Sequence, residues 1–307
     1  MGAAKRLVTT LGPVGTVGGT ILPHEHVFVD LRTPLTRGYA EAVTEDVVQV
    51  MLPSLREAKA AGVTAIVEAS AVGVGRRVDI LSAVSRAAGV PLVVPTGVYR
   101  EPWIPPWIHA TTEDALERWM RGELEGTVEE SGVAAGWIKL SAGDSGLTDC
   151  ETKVLRAAGR AAACTGAVIG SHTIRGSVVL QELSILASVG LPADRFVWIH
   201  AHVEEDFQLN LDAARKGAWI EYDAIGSPDS DAGFIDRIHR MLDAGFEDRI
   251  LLSQDRGWFD PALPGGGRQK SYAYLVQAFL PALASSGVPE PTIRRITRDN
   301  PFEAFAR

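Results

Sequence analysis

Along the chain, short apolar runs rich in β-branched residues alternate with longer segments whose apolar positions recur every three or four residues. The short runs are TILPHEHVFV (20–29), TAIVEAS (64–70), PLVVPTGVY (91–99), GWIKLSA (136–142), AVIGSHT (167–173), FVWIHAH (196–202), WIEYDAI (219–225) and ILLSQD (250–255). Their length and composition predict eight strands. Between them lie amphipathic stretches such as TEDVVQVMLPSLREAKAAG (44–62), VDILSAVSRAAG (78–89) and AGFIDRIHRMLDAGF (232–246). Gly62, Gly89, Gly190 and Gly217 stand just before the next strand, where a helix C-cap is expected. Strand alternating with helix implies parallel βαβ units. Eight such units predict a single (β/α)₈ TIM barrel over residues 1–307. A doubly wound open sheet would need a Gly-rich phosphate turn after its first strand, and PHEHVFVD is not one.

Composition narrows the function classes. A formal charge of −8 over 307 residues argues against a nucleic-acid surface. No apolar run approaches the ~18 residues of a spanning helix, and Gly and Pro interrupt the N-terminal stretch before a signal-type core forms. Two cysteines, Cys150 and Cys164, make no disulfide framework. The expectation is a cytoplasmic protein that binds neither nucleic acid nor membrane. Its expected partners are a small-molecule substrate and a second copy of the chain, in a homodimer.

Polar residues in the apolar runs supply the candidate chemistry. His24 and His26 fall in the first strand, Lys139 in the fourth, His172 in the fifth, His200 in the sixth, and Asp255 closes the eighth. All lie toward strand C-terminal ends, where barrel active sites are built. Residues i and i+2 of a strand share a face, so His24 and His26 can both face the barrel axis while Glu25 points outward. Imidazoles and a carboxylate converging on one mouth suit a borderline metal such as Zn²⁺. Burial would free a neutral amine at Lys139, which can take up CO₂ as an anionic, bridging carbamate. His200 and His202 form a second i, i+2 pair, and spacing alone leaves either as the ligand. His109 in a loop and His239 on an amphipathic helix read as ordinary surface residues. The long segments GVYREPWIPPWIHATTED (97–114) and FDPALPGGGRQKSYAY (259–274) read as functional loops.

The ordered set HEH, GWIKLS, GSHT, WIHAH and SQD resembles the phosphotriesterase-like branch of the amidohydrolase superfamily. TAIVEASAVGVGRRVDILSAVSRAAGVPLVVPTGVY (64–99), ARKGAWIEYDAIG (214–226) and TRDNPFEAFA (297–306) resemble that family's flanking segments, so the similarity spans nearly the whole chain. It implies a binuclear centre of two divalent transition metals, usually zinc, at the mouth of a distorted barrel. His24, His26 and Asp255 would hold the more buried metal, His172 and His200 the more exposed one, and carbamylated Lys139 would bridge them. His200 is favoured over His202 because Gly217 and Asp223 then fall where the family places them. A metal-bridging hydroxide would attack the substrate, with Asp255 taking its proton. Tyr99 matches the aromatic that sits over the metal bridge in the lactonase members.

Two departures bear on the substrate. Ala224 follows Asp223 where the organophosphate and lactone hydrolases carry a basic residue. Val203 stands where organophosphate members carry an acidic proton relay, with His202 and Glu204 nearby. Arg256, Arg268 and Lys270 could meet an anionic group, and Tyr99, Trp103, Trp107 and Trp258 could wall an apolar pocket. Tyr99, His202, Arg256 and Trp258 are the expected substrate contacts. The leading expectation is a metal-dependent hydrolase of lactones or other carboxylic esters with promiscuous phosphotriesterase activity. An amide (N-acyl amino acid type) or phosphoester hydrolase with the same site is the alternative, and a non-catalytic metal-containing binding barrel is the third.

Overall fold

A computed structural model describes residues 4–307. Ten parallel strands appear, β1 (Thr20–Phe28), β2 (Val63–Glu68), β3 (Leu92–Val93), β4 (Pro95–Thr96), β5 (Trp137–Ser141), β6 (Ile169–His172), β7 (Phe196–Ile199), β8 (Trp219–Tyr222), β9 (Ile250–Leu252) and β10 (Gly257–Phe259). Helices Thr44–Ala60, Val78–Ala88, Glu113–Glu125, Asp149–Thr165, Gly176–Ser188, Phe207–Lys216 and Pro228–Asp243 alternate with the main strands. Gly89 and Gly217 end two of these helices in the left-handed conformation, as their positions predicted.

The strands pair in two sets, β10-β1-β2-β3 and β4-β5-β6-β7-β8-β9. The third predicted strand is therefore two short ones. Pro95 has no N–H for a ladder, so the run breaks at Val94, with β3 bonded to β2 and β4 to β5. The opposite seam is closed by the backbone bonds Asp255 N–H to His24 O (3.2 Å) and His26 N–H to Arg256 O (2.8 Å). β10, which the periodicity did not indicate, then pairs with β1 through His26 and Gly257. The result is a distorted (β/α)₈ barrel.

Strand alternation sorts the core into two layers. Ile21, Val67, Val93, Trp137, Val168, Val197, Trp219 and Leu251 fill the barrel interior, where Trp137 meets Phe305 edge-on at 5.3 Å. Leu22, Ile66, Leu92, Ile138, Ile169, Trp198, Ile220 and Leu252 face the helices. No helix among the described residues is long and apolar enough to cross a membrane.

Candidate metal centre

Alternation carries the inward set upward from the core to the strand ends. On β5, Trp137 is followed by Lys139; on β6, Val168 precedes His172 by four. On the β8 strand, Trp219 leads to Glu221 and Asp223, and Leu251 of β9 leads to Asp255. The histidines of β1 need more. Ile21 faces inward, so strict alternation would turn His24 and His26 toward the helices. The β1–β2 register shifts between Leu22 and Glu25, at Pro23, and reverses that parity. His200 follows inward-facing Ile199 and reaches the same space through a left-handed backbone, φ 66°. Five non-glycine residues among those described have positive φ, and three of them (His200, Asp255 and Trp258) line this space.

Together, His24, His26, Lys139, His172, His200, Asp255, Tyr99 and Trp258 border one cavity of about 190 Å³, with Val29, Leu31, Ala69 and Val74 as its apolar wall. A roomier groove of about 340 Å³ beside Gly18–Thr20 lies at the start of β1 and holds none of these groups. The rings of His172 and His200 are 4.3 Å apart, those of His24 and His200 5.3 Å, and those of His24 and His26 5.4 Å. His26 Nε2 is 3.2 Å from Asp255 Oδ1.

Each imidazole has its own support. His26 Nδ1 is 2.8 Å from Ser70 Oγ, and that hydroxyl is 2.7 Å from both Glu68 Oε1 and the Phe28 carbonyl. His200 donates Nδ1–H to Asp223 Oδ1 at 2.7 Å and its backbone N–H to Oδ2 at 2.8 Å. His172 Nδ1 is 3.2 Å from the Tyr99 hydroxyl. Such contacts orient metal-ligating histidines and fix the tautomer that turns the other nitrogen to the ion. Glu68, Ser70, Glu221 and Asp223 went unassigned as site residues in the sequence, although E-x-S and E-x-D obey the same i, i+2 rule as H-x-H.

Electrostatics agree with a cation-binding role. Burial, and then the neighbouring Lys139, lower His24 to about 3. Burial and His200 also lower His172 well below the usual value, leaving these rings neutral. Burial lowers the Lys139 ammonium to about 8 against the opposing pull of Glu221 and Asp223. Burial alone would raise the Asp255 carboxyl, but the His26 imidazole 3.2 Å away and the neighbouring His24 and His200 hold it well below the usual range. Lys139 Nζ and Asp255 Oδ1 are buried atoms with no hydrogen-bond partner among the described residues. Two such atoms beside four imidazoles at one cavity are what a metal centre would satisfy, and the donor set fits one.

Other candidates fall elsewhere. His202 lies outside the cavity lining, in a 3₁₀ turn, 3.3 Å from Asp223 Oδ1 and 5.3 Å from the Phe234 ring. The i, i+2 rule fails for His200 and His202 because the strand ends at Ile199. The Arg256 guanidinium is spent on the Gly226 carbonyl and the Tyr274 ring, and does not line the cavity. Lys270 Nζ sits 6.0 Å over the Trp258 ring. Trp103 donates to the Leu31 carbonyl at 2.7 Å, and Trp107 packs edge-on against Trp119, so both tack down their loop. Glu25 is fully buried and accepts from Ser253 Oγ and the backbone N–H groups of Gln254 and Arg256; it braces the seam rather than the cavity.

Known proteins resemble this chain over most of its length. A phosphotriesterase homology protein of Mycobacterium tuberculosis is 30% identical across 98% of both chains. A solved lactonase from Listeria monocytogenes superposes with a TM-score of 0.84 at 25% identity, again over 98% of each chain. An N-acetyltaurine hydrolase of Mus musculus is 27% identical over 79% of this chain and 73% of its own. The family model described as "Phosphotriesterase family" matches residues 5–305. The chain therefore belongs to the phosphotriesterase family, whose members are metal-dependent hydrolases that use a binuclear metal centre.

Proposed function

We propose that this protein hydrolyses small lactones or other carboxylic esters, using two divalent metals, zinc in the first instance. His24, His26 and Asp255 would hold one metal, His172 and His200 the other, and a carbamate on Lys139 would bridge them. When bound, the pair supplies a nucleophilic oxygen from water near neutral pH and polarises the substrate carbonyl. The chain's own groups divide the remaining tasks. Asp255, kept ionised by its histidine neighbours, is placed to accept a proton from the attacking group and release it to the leaving oxygen. Tyr99, whose hydroxyl rests 3.2 Å from His172, caps the edge of the cavity on which a carbonyl oxygen would lie. Val29, Leu31, Ala69, Val74 and Trp258 exclude water and seat an aliphatic ring or acyl chain.

The observation that carries this reading is the combination of the six-residue donor set with a small, apolar wall. Lys139 is the one cationic side chain among the lining residues, and as a carbamate it would be anionic. A neutral substrate such as a lactone suits that wall better than a carboxylate or sulfonate. The N-acetyltaurine hydrolase relationship favours amide cleavage as the second reading. A sulfonate would need a cation at the mouth, and Arg256, the sequence's first choice for one, is occupied by Gly226 and Tyr274.

Metal-loaded protein assayed against γ- and δ-lactones, aryl esters, N-acyl amino acids, N-acetyltaurine and a dialkyl aryl phosphotriester should turn over lactones or esters fastest. Lys139→Ala should abolish that turnover and lose at least one metal per chain. Turnover confined to the amides would replace the ester reading, and activity unchanged by Lys139→Ala or by chelation would reject the centre.

A further inference from the structure

Of the cavity's four imidazoles, three have a hydrogen-bond partner at Nδ1: Ser70 for His26, Asp223 for His200 and Tyr99 for His172. His24 has none among the described residues. Two carboxylates approach its Nδ1, Glu221 Oε1 at 3.4 Å and Asp223 Oδ2 at 3.5 Å. Asp223 already accepts on both oxygens, Oδ1 from His200 Nδ1 and Oδ2 from the His200 backbone N–H, and its Oδ2 is the farther of the two from His24. Glu221 is fully buried, and neither of its oxygens accepts a hydrogen bond from any of the described residues. A buried, unpartnered carboxyl is costly, and so is a buried, unpartnered imidazole N–H. The two deficits face each other. An approach of roughly half an ångström would bring the 3.4 Å separation to an ordinary N–H···O distance.

We propose that Glu221 is the positioning residue of His24: it accepts the Nδ1–H and so aims Nε2 into the cavity. The inference rests on the metal-centre reading above and adds to it a residue that touches neither substrate nor metal. The E-Y-D sequence at the end of β8 then serves two histidines, Glu221 for His24 of β1 and Asp223, just past the strand, for His200 at the end of β7. The division follows from strand geometry, since residues 221 and 223 share the inward face and stand about 7 Å apart along β8. Without a metal, Glu221 is a burden on the fold; with one, it holds a ligand.

That opposition of signs gives the test. Glu221→Leu removes the acceptor and leaves an apolar side chain of similar bulk, whereas Glu221→Gln keeps an acceptor oxygen on a group that cannot ionise. Zinc affinity is measured by chelator competition, and imidazole N–H resonances of the zinc-loaded protein by NMR with ¹⁵N-labelled histidine. Thermal unfolding is followed on the metal-free forms. Glu221→Leu should bind zinc about 10- to 100-fold more weakly, lose one downfield N–H resonance, and melt no lower than the metal-free parent. Glu221→Gln should keep that resonance at a shifted position and fall between the two in affinity. Wild-type affinity and an unchanged resonance set in both variants would overturn the assignment while leaving the metal centre standing. A metal-free melting temperature that drops in step with affinity would overturn it as well, by showing an architectural role. If the parent protein itself takes up no zinc, the metal-centre reading fails first and takes this inference with it.

Discussion

Gly97 offers a quantitative test of how tightly the barrel holds Lys139. It follows β4, has φ +104°, and packs directly on the backbone of β5. A Cβ built there would stand 2.2 Å from the Lys139 carbonyl oxygen and 3.0 Å from both Lys139 C and Lys139 N. Gly97→Ala must therefore push the two strands apart by roughly 1 Å, since overpacked cores relieve clashes by backbone shifts. Gly62 is the control: its φ is +101°, and a Cβ there meets nothing within 4 Å. Both substitutions carry the conformational penalty of a positive φ, about 1–2 kcal/mol. Gly97→Ala adds overpacking, about 1–3 kcal/mol more. Denaturant unfolding of the metal-free variants should separate them by that second amount at similar slopes. Turnover supplies an independent reading, because a misplacement near 1 Å costs about 100-fold in rate; Gly62→Ala should retain parental turnover. Equal destabilisation by the two substitutions, or full activity in Gly97→Ala, would refute the claim that this contact sets the position of Lys139.

His200→Ala should lose bound metal and nearly all activity, whereas His202→Ala, altering a ring outside the cavity lining, should keep its metal; plasma emission analysis of the purified variants would show the reverse if the assignment were wrong. Glu182 is buried, accepts from Ser171 Oγ (2.6 Å) and Thr173 Oγ1 (2.8 Å), and is raised by burial to about 7. A folded-state value above the unfolded one contributes stability that is full below the unfolded value and is lost as pH rises through 7. Between pH 5 and 7 the parent's unfolding free energy should therefore fall relative to Glu182→Gln, by at most about 1.4 kcal/mol per pH unit; parallel pH–stability curves would contradict this.

Much of the fold and the candidate site was legible because one rule, alternation along a strand, governs both. The eight apolar runs mark the barrel, and Lys139, His172 and Asp255 sit where period two, counted from inward-facing Trp137, Val168 and Leu251, says they should. The split at Val94 and the extra strand β10 were less legible. The first turns on one missing N–H at Pro95, and the second forms only because β1 stands ready as a partner. Arg256 shows the limit of reading function from charge and sequence adjacency. It follows Asp255 in the chain, yet Asp255 has φ +51°, and the backbone that turns Asp255 inward leaves Arg256 against Gly226 and Tyr274.

The places where alternation fails are themselves informative. His24 and His26 reach the cavity only through the register shift at Pro23, and His200 only through a left-handed backbone. Neither departure is favourable locally; a non-glycine residue in that region costs about 1–3 kcal/mol. A barrel whose strands all obeyed period two would send His24 and His26 into the helix layer and His200 to the far side of β7. It would then offer Lys139, His172 and Asp255 alone, too few donors for two metals that each need about four ligands. The backbone strain thus lies on His200 and Asp255, one donor for either metal, while Lys139 and His172 take their places on unstrained strands. On that reasoning, a substitution that relaxes the backbone at residue 200, such as His200→Gly, should leave the metal-free protein more stable than His200→Ala does, while abolishing metal binding. His200→Ala, which keeps the strained φ without the imidazole, should lose the metal and unfold at the lower midpoint. If the two variants unfold alike, the backbone at residue 200 is not strained, and the histidine's placement has to be explained by packing alone.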